Sequence, residues 1–275
     1  SRQIQREDLL TEEELKLIIN RCANIKHKAI LGVLYESMTR KSELLNLKVK
    51  DVVFTDYGCE LNIRNSKTKK GIRKVYLIDS VPLLRAYLEN HPFKDDPECY
   101  LWLQRELNGK ITKEPMNGEG LHFVINLSAK RAGIKKRVWI HGFRHMRASH
   151  LLAKGMPISL VQQLGGWSNV STLSKIYSHL TSTDVKDYLL KENGFIPKKE
   201  EVSNFKIRIC PRCNERNSFE ALTCSKCWLP LSQEGRIQLE NKRINIDEKM
   251  NKLFEKRPDI IELLAKVINE IDNKE

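Results

Sequence analysis

His141-Gly142-Phe143-Arg144-His145-Met146-Arg147-Ala148-Ser149-His150-Leu151-Leu152 opens a helix with an imidazole and a guanidinium three residues apart. That spacing turns both side chains to the same side of the first helical turn. An imidazole can exchange a proton near neutral pH, and a guanidinium can fork onto anionic oxygens. Alone, such a pair is weak evidence for chemistry, so its surroundings decide what it means. Apolar spacing predicts a helix over Phe143–Ala153, followed by helices at Ile158–Leu164, Thr172–Ser178 and Thr183–Leu190. Upstream, helices are expected at residues 11–22, His27–Ser37, Lys41–Leu47, Val81–Glu89 and Gly120–Ala132. The first begins at Thr11 with Glu14 three residues on, the pattern of a capping box. Between the third and fourth helices lie three short strand candidates, Val52–Phe54, Glu60–Arg64 and Arg73–Ile78, separated by Gly58 and by the 66–71 stretch. The class is therefore α+β, a mostly helical domain carrying one small antiparallel sheet.

Lys and Arg number 48 against 35 acidic residues in the 275-residue chain, a formal charge of +13. Such an excess points to a polyanionic partner, because phosphate contacts dominate nucleic-acid affinity; a solvated basic surface is the plainer alternative. No apolar run approaches the roughly 20 residues of a membrane span, and no signal peptide is visible. The expectation is a soluble cytoplasmic protein associated with DNA. Cys22, Cys59 and Cys99 stand alone and read as small buried hydrophobes. The chain begins at Ser1 directly before a helix, which suggests a piece of something longer.

Polar residues 197–202 read as a linker, giving three segments: residues 1–196, a small module over 203–232, and a helical segment over 236–275. In the last of these, Ile260, Ile261, Leu263, Leu264, Val267, Ile268 and Ile271 make an apolar stripe suited to packing on its own domain or on a partner helix.

Two further blocks flank the opening stretch. Upstream stands Met38-Thr39-Arg40-Lys41-Ser42-Glu43-Leu44; downstream stand Leu164-Gly165-Gly166-Trp167-Ser168-Asn169-Val170 and Lys175-Ile176-Tyr177-Ser178-His179-Leu180. In this order the blocks resemble the tyrosine recombinase family of phage integrases, Xer proteins and Cre, over roughly residues 8–192. The resemblance implies an enzyme that breaks and rejoins double-stranded DNA through a 3′-phosphotyrosine without a catalytic cofactor. It also implies assembly as a homo-tetramer on paired sites.

Residue by residue, the resemblance matches Arg40 with Glu43, Lys67, His141, Arg144, Trp167 and Tyr177 to the family's site. Two guanidiniums, Arg40 and Arg144, would neutralise the non-bridging phosphate oxygens. Tyr177 would attack phosphorus, with His141 placed to accept its proton. Lys67 would protonate the departing 5′ oxygen, with Lys69 and Lys70 as competitors for that role. Trp167 could donate its indole N–H to the phosphate or simply pack. Glu43 would orient a basic or imidazole partner.

Trp167 and Tyr177 are ten residues apart, one more than the family's common spacing, which leaves open whether Gly166 or Trp167 holds the matched position. Few residues precede the matched stretch, so the expectation is that the family's N-terminal helical clamp is absent or was removed. A catalytically inactive zinc-ribbon DNA-binding regulator and a type IB topoisomerase are the alternative readings.

Cys210-Pro-Arg-Cys213 and Cys224-Ser-Lys-Cys227 are two C-x₂-C knuckles with ten residues between them. Each offers two thiolates on one turn, and together they complete a tetrahedral zinc site. With all four positions filled by cysteine, the metal is expected to be structural, in a small zinc ribbon. A redox or disulfide pair is the other possibility.

Overall fold

The computed structural model describes residues 8–64, 72–106, 109–169 and 206–260, with positions 186 and 190. The chain divides into two compact units, Ser1–Ile207 and Arg208–Glu275.

In the first unit, α1 (Glu12–Asn20) starts in the expected capping box, and Leu15, Ile18 and Ile19 form its buried stripe. Thr11 Oγ1 accepts the Glu14 amide at 3.2 Å, and the Thr11 amide donates back to Glu14 Oε2 at 2.8 Å. Helix α2 (Ile25–Ser37) begins earlier than its apolar pattern suggested because Asn24 caps it, accepting the His27 amide at 2.9 Å. It is buried continuously from Ala29 to Ser37 and packs against α1, β3, α4 and α6, so it is the spine of this unit. A short α3 (Lys41–Leu45) leads into the sheet.

Strands β1 (Val52–Phe54), β2 (Cys59–Arg64) and β3 (Ile72–Leu77) pair antiparallel in the order β1-β2-β3. The β2–β3 register runs from Cys59 opposite Leu77 to Arg64 opposite Ile72. Cys59, Leu61, Ile63, Val75 and Leu77 are buried, the alternation a half-covered sheet requires. Helix α4 (Val81–Glu89) follows, then a hairpin not foreseen in the sequence, β4 (Leu103–Arg105) with β5 (Ile111–Pro115). Helices α5 (Gly118–Arg131), α6 (Ile140–Ala153) and α7 (Ile158–Gly165) complete the described part. The helix expected at Thr172–Ser178 lies outside the described residues, as do Lys67, Tyr177 and all of the one expected at Thr183–Leu190 except positions 186 and 190. This is the α+β arrangement of helices and small antiparallel sheets.

The second unit holds a two-stranded hairpin, β6 (Arg208–Ile209) with β7 (Arg216–Asn217), and a long helix α8 (Gln233–Lys256). Of the terminal apolar stripe, only Ile260 falls within the described residues. No helix among the described residues is long and apolar enough to cross a membrane. Cys22, Cys59 and Cys99 are buried, as expected.

Candidate active site

Helix α2 ends at Met38 in the left-handed conformation (φ 50°), an uncommon backbone state for a residue with a side chain. The turn redirects the chain into Thr39 and Arg40 and offers the Met38 carbonyl to Arg144 at 2.6 Å. Arg40 precedes α3, and its amide donates to Glu43 Oε2 at 2.8 Å. Its Nη1 donates to Glu43 Oε1 at 2.7 Å and its Nη2 to the Gly166 carbonyl at 3.1 Å, while 41% of the side chain stays exposed.

Glu43 is buried and also accepts Arg73 Nη2 at 2.9 Å, so one carboxylate holds two guanidiniums. Burial works to raise its pKa; the Arg40 amide and then the Arg73 and Arg40 charges outweigh that and hold it below the usual carboxylate range.

The other anchor is the C-terminus of α7, where carbonyls lack partners within their own helix. Three consecutive carbonyls each take a different arginine: Leu164 accepts Arg73, Gly165 accepts Arg144, and Gly166 accepts Arg40. The negative end of the helix dipole lies there, a favourable place for cations. Two glycines make this close approach feasible. A Cβ at Gly165 would stand 1.9 Å from Trp167 Cζ3, and one at Gly166 would stand 2.9 Å from Arg73 Nε. Gly166 also ends α7 in the left-handed region at φ 67°.

Arg144 is 1% exposed, with Cζ 3.7 Å from the centre of the Trp167 ring. Its Nε is buried and has no hydrogen-bond partner among the described residues. Burial, followed by the Arg40 and Arg73 charges, lowers this guanidinium to about 9, with Glu43 opposing. The cluster thus carries more positive charge than its one carboxylate neutralises, and an added anion would relieve it. His141 sits at the surface, edge-on to His145 with ring centres 4.5 Å apart. Partial desolvation and then the Arg144 and Arg40 charges hold His141 below the usual imidazole value; His145 falls to about 4 for like reasons. A neutral His141 at neutral pH can accept a proton.

Of the residues expected at the site, Arg40, His141, Arg144 and Trp167 come together with Glu43. Glu43 holds basic partners rather than an imidazole. Trp167 sets its ring against the Arg144 guanidinium and packs on Met38, Ala148, Leu151 and Val161. Arg73 was not foreseen. Its signal was present, because on β3 it shares the face of buried Val75 and Leu77, where a charge needs a partner.

In the second unit the two cysteine pairs form matching turns. Asn214 and Trp228, each directly after a knuckle, have φ of 56° and 60°, and their amides donate to Cys210 and Cys224 carbonyls at 2.9 and 3.0 Å. The four sulfurs lie within 4.8 Å of one another, with Cys210–Cys227 and Cys213–Cys224 at 3.5 Å. Zinc–sulfur bonds of about 2.3 Å in a tetrahedron imply sulfurs about 3.8 Å apart, close to this spacing. A disulfide needs about 2.05 Å. Asn217 Nδ2 also donates toward Cys224 Sγ at 3.7 Å. The donor set fits a metal ion.

Residues 8–184 match the phage integrase family. A tyrosine recombinase of Thermosipho africanus is 34% identical over 188 residues, 67% of this chain and 61% of the relative. The tyrosine recombinase XerA of Pyrococcus horikoshii is 31% identical over 186 residues, 66% and 60% respectively. The crystal structure of a XerA recombinase superposes with a TM-score of 0.55 and 28% identity, over 67% of this chain and 63% of that one. The chain therefore spans about three fifths of the length of these curated relatives.

Proposed function

The chain belongs to the phage integrase family, and from that premise we propose that it is a site-specific recombinase that cleaves and rejoins double-stranded DNA through a 3′-phosphotyrosyl intermediate. The observation that carries this reading is the arginine cluster, with its excess positive charge and a buried Arg144 Nε that has no partner among the described residues. Such a site is built for a phosphodiester whose negative charge grows in the transition state.

In this mechanism Arg40 and Arg144 hold the non-bridging oxygens. Tyr177 Oη attacks phosphorus and gives its proton to neutral His141. The P–O5′ bond breaks, and Lys67 protonates the departing oxygen. Rejoining reverses the step: a 5′ hydroxyl attacks the phosphotyrosine and releases Tyr177. Trp167 holds the Arg144 guanidinium in place through its cation–π contact. Lys130, Arg131, Lys135 and Arg137, just ahead of α6, supply charge for neighbouring phosphates. Strand exchange calls for a homo-tetramer on two DNA sites, and work on DNA implies a soluble protein inside the cell.

Cys210, Cys213, Cys224 and Cys227 hold structural zinc, in a zinc ribbon that serves as an accessory binding module. Zinc there would fix the two turns and take no part in strand cleavage.

Nicked suicide duplexes carrying candidate sites test the reading. Wild-type protein should form covalent protein–DNA adducts, and Tyr177→Phe should form none while still binding DNA. Adducts from Tyr177→Phe would remove that tyrosine. Plasmid relaxation without strand exchange between paired sites would favour the topoisomerase reading, and no adduct from wild type would favour the inactive regulator.

A further inference from the structure

Helix α8 is 24 residues long, yet among its residues only Gly235 is buried. A helix so surrounded by water has little to hold it, since isolated helices are marginal and protein helices are stabilised mostly by packing one face. Helix α8 nevertheless has an apolar face. Leu239, Ile246 and Leu253 recur every seven residues, with Met250 between the last two, and their exposures are 36, 59, 41 and 38%. Along one seam the positions run 239, 243, 246, 250 and 253, alternating steps of four and three, which is the spacing of a two-stranded coiled coil.

The charges beside the seam select the occupant. On one flank lie Lys242, Lys249 and Lys256; on the other lie Glu240 and Asp247. If two copies pair in parallel and in register, Lys242 of one faces Asp247 of the other, and symmetry repeats the pair. An antiparallel pairing would set lysines against lysines and acids against acids. Arg243 on the seam disfavours bundles of three or more, where its charge could not reach water, whereas in a dimer its stem can lie along the seam and its head can emerge.

We infer that α8 is a homodimerisation helix, pairing with α8 of a second copy as a parallel two-stranded coiled coil through Leu239, Ile246, Met250 and Leu253. This surface lies beyond the family match at residues 8–184 and does not depend on the catalytic reading. The seam is short, so the pairing should be weak in free solution. It would strengthen when DNA brings two chains together, through a raised effective concentration.

Sedimentation of the full chain over a dilution series tests this. Wild type should show a monomer–dimer equilibrium, and Ile246→Lys should be monomeric with an unchanged melting profile for the rest of the chain. Lys242→Glu and Asp247→Lys, each converting two attractions to repulsions, should each weaken the dimer by about tenfold. The double variant Lys242→Glu/Asp247→Lys restores opposite charges only in parallel register, and its dissociation constant should return close to that of wild type. A monomeric wild type would overturn the inference, because another segment would then cover the stripe. A dimer indifferent to Ile246→Lys would overturn it as well, and a double variant no tighter than the single ones would overturn the parallel arrangement.

Discussion

Arg73 binds no sequence motif, yet it joins three parts of the site: strand β3 that carries it, the Glu43 carboxylate and the Leu164 carbonyl. Its proper role is to fix Glu43, which in turn fixes Arg40. Arg73→Ala should therefore slow adduct formation by about 10- to 100-fold, the usual cost of losing a group that orients a reacting one. DNA affinity at fixed salt should change little. Arg73→Lys should recover only part of the rate, since one ammonium cannot reach both acceptors in the forked geometry. Single-turnover cleavage beside a binding isotherm checks this, and a loss of affinity equal to the loss of rate would instead make Arg73 a DNA contact. At this scale the sequence was legible where a residue type sat in a recognisable block, as for Arg40, His141, Arg144 and Trp167. Arg73 was missed because it lies within a run of basic residues from Lys67 to Lys74, where one arginine among several cations carries no pattern of its own. Only the strand alternation marked it.

Elements were readable wherever local chemistry ended them. The α1 capping box is present as written in Thr11 and Glu14. By contrast, the β4–β5 hairpin went unread although Asn108-Gly109, a strong turn dipeptide, stands between its strands. Its strands are short and carry Gln104, Lys113 and Glu114, so no apolar alternation announced them. The start of α4 shows the same limit. Ser80, the residue before α4, makes no capping bond of its own; Glu36 from α2 instead gathers the turn that leads into the helix, accepting the amides of Ile78, Asp79 and Ser80 at 2.7, 2.9 and 2.8 Å and the Ser80 hydroxyl at 2.6 Å. A buried acid serving a distant helix end cannot be seen in a local window. Glu36→Gln turns one acceptor into a donor facing other donors, and should lower stability by about 2 kcal/mol or more in urea unfolding. A change near zero would mean that the turn into α4 is held without Glu36.

At the scale of the whole chain, charge and protonation set conditions on folding. Burial, as the first cause in each case, holds His27, His145 and His150 near 4. The unfolded chain takes up those protons near the ordinary value of about 6.5, and the folded chain does so only near 4. Between these values the unfolded state binds more protons, so stability is fully present above about pH 6.5 and is lost as pH falls through 4. Urea midpoints measured at about pH 7.5 and about pH 5 should therefore drop on the acid side; equal midpoints would contradict the burial of these imidazoles in neutral form. In the second unit, chelation should release about one zinc per chain, measured by elemental analysis, and melt the hairpin of β6 and β7 without unfolding the first unit. A chain purified without metal and with that hairpin intact would argue against a structural ion. The meeting of Gly166 with Arg73 reaches into the chain's history as well. A side chain at 166 would have to displace the Arg73 guanidinium and accept a left-handed backbone. The two positions, far apart in sequence, should therefore have changed together: among related chains, those with a side chain at 166 should have given up the long arginine at 73, and an alignment of relatives would show that as paired substitution.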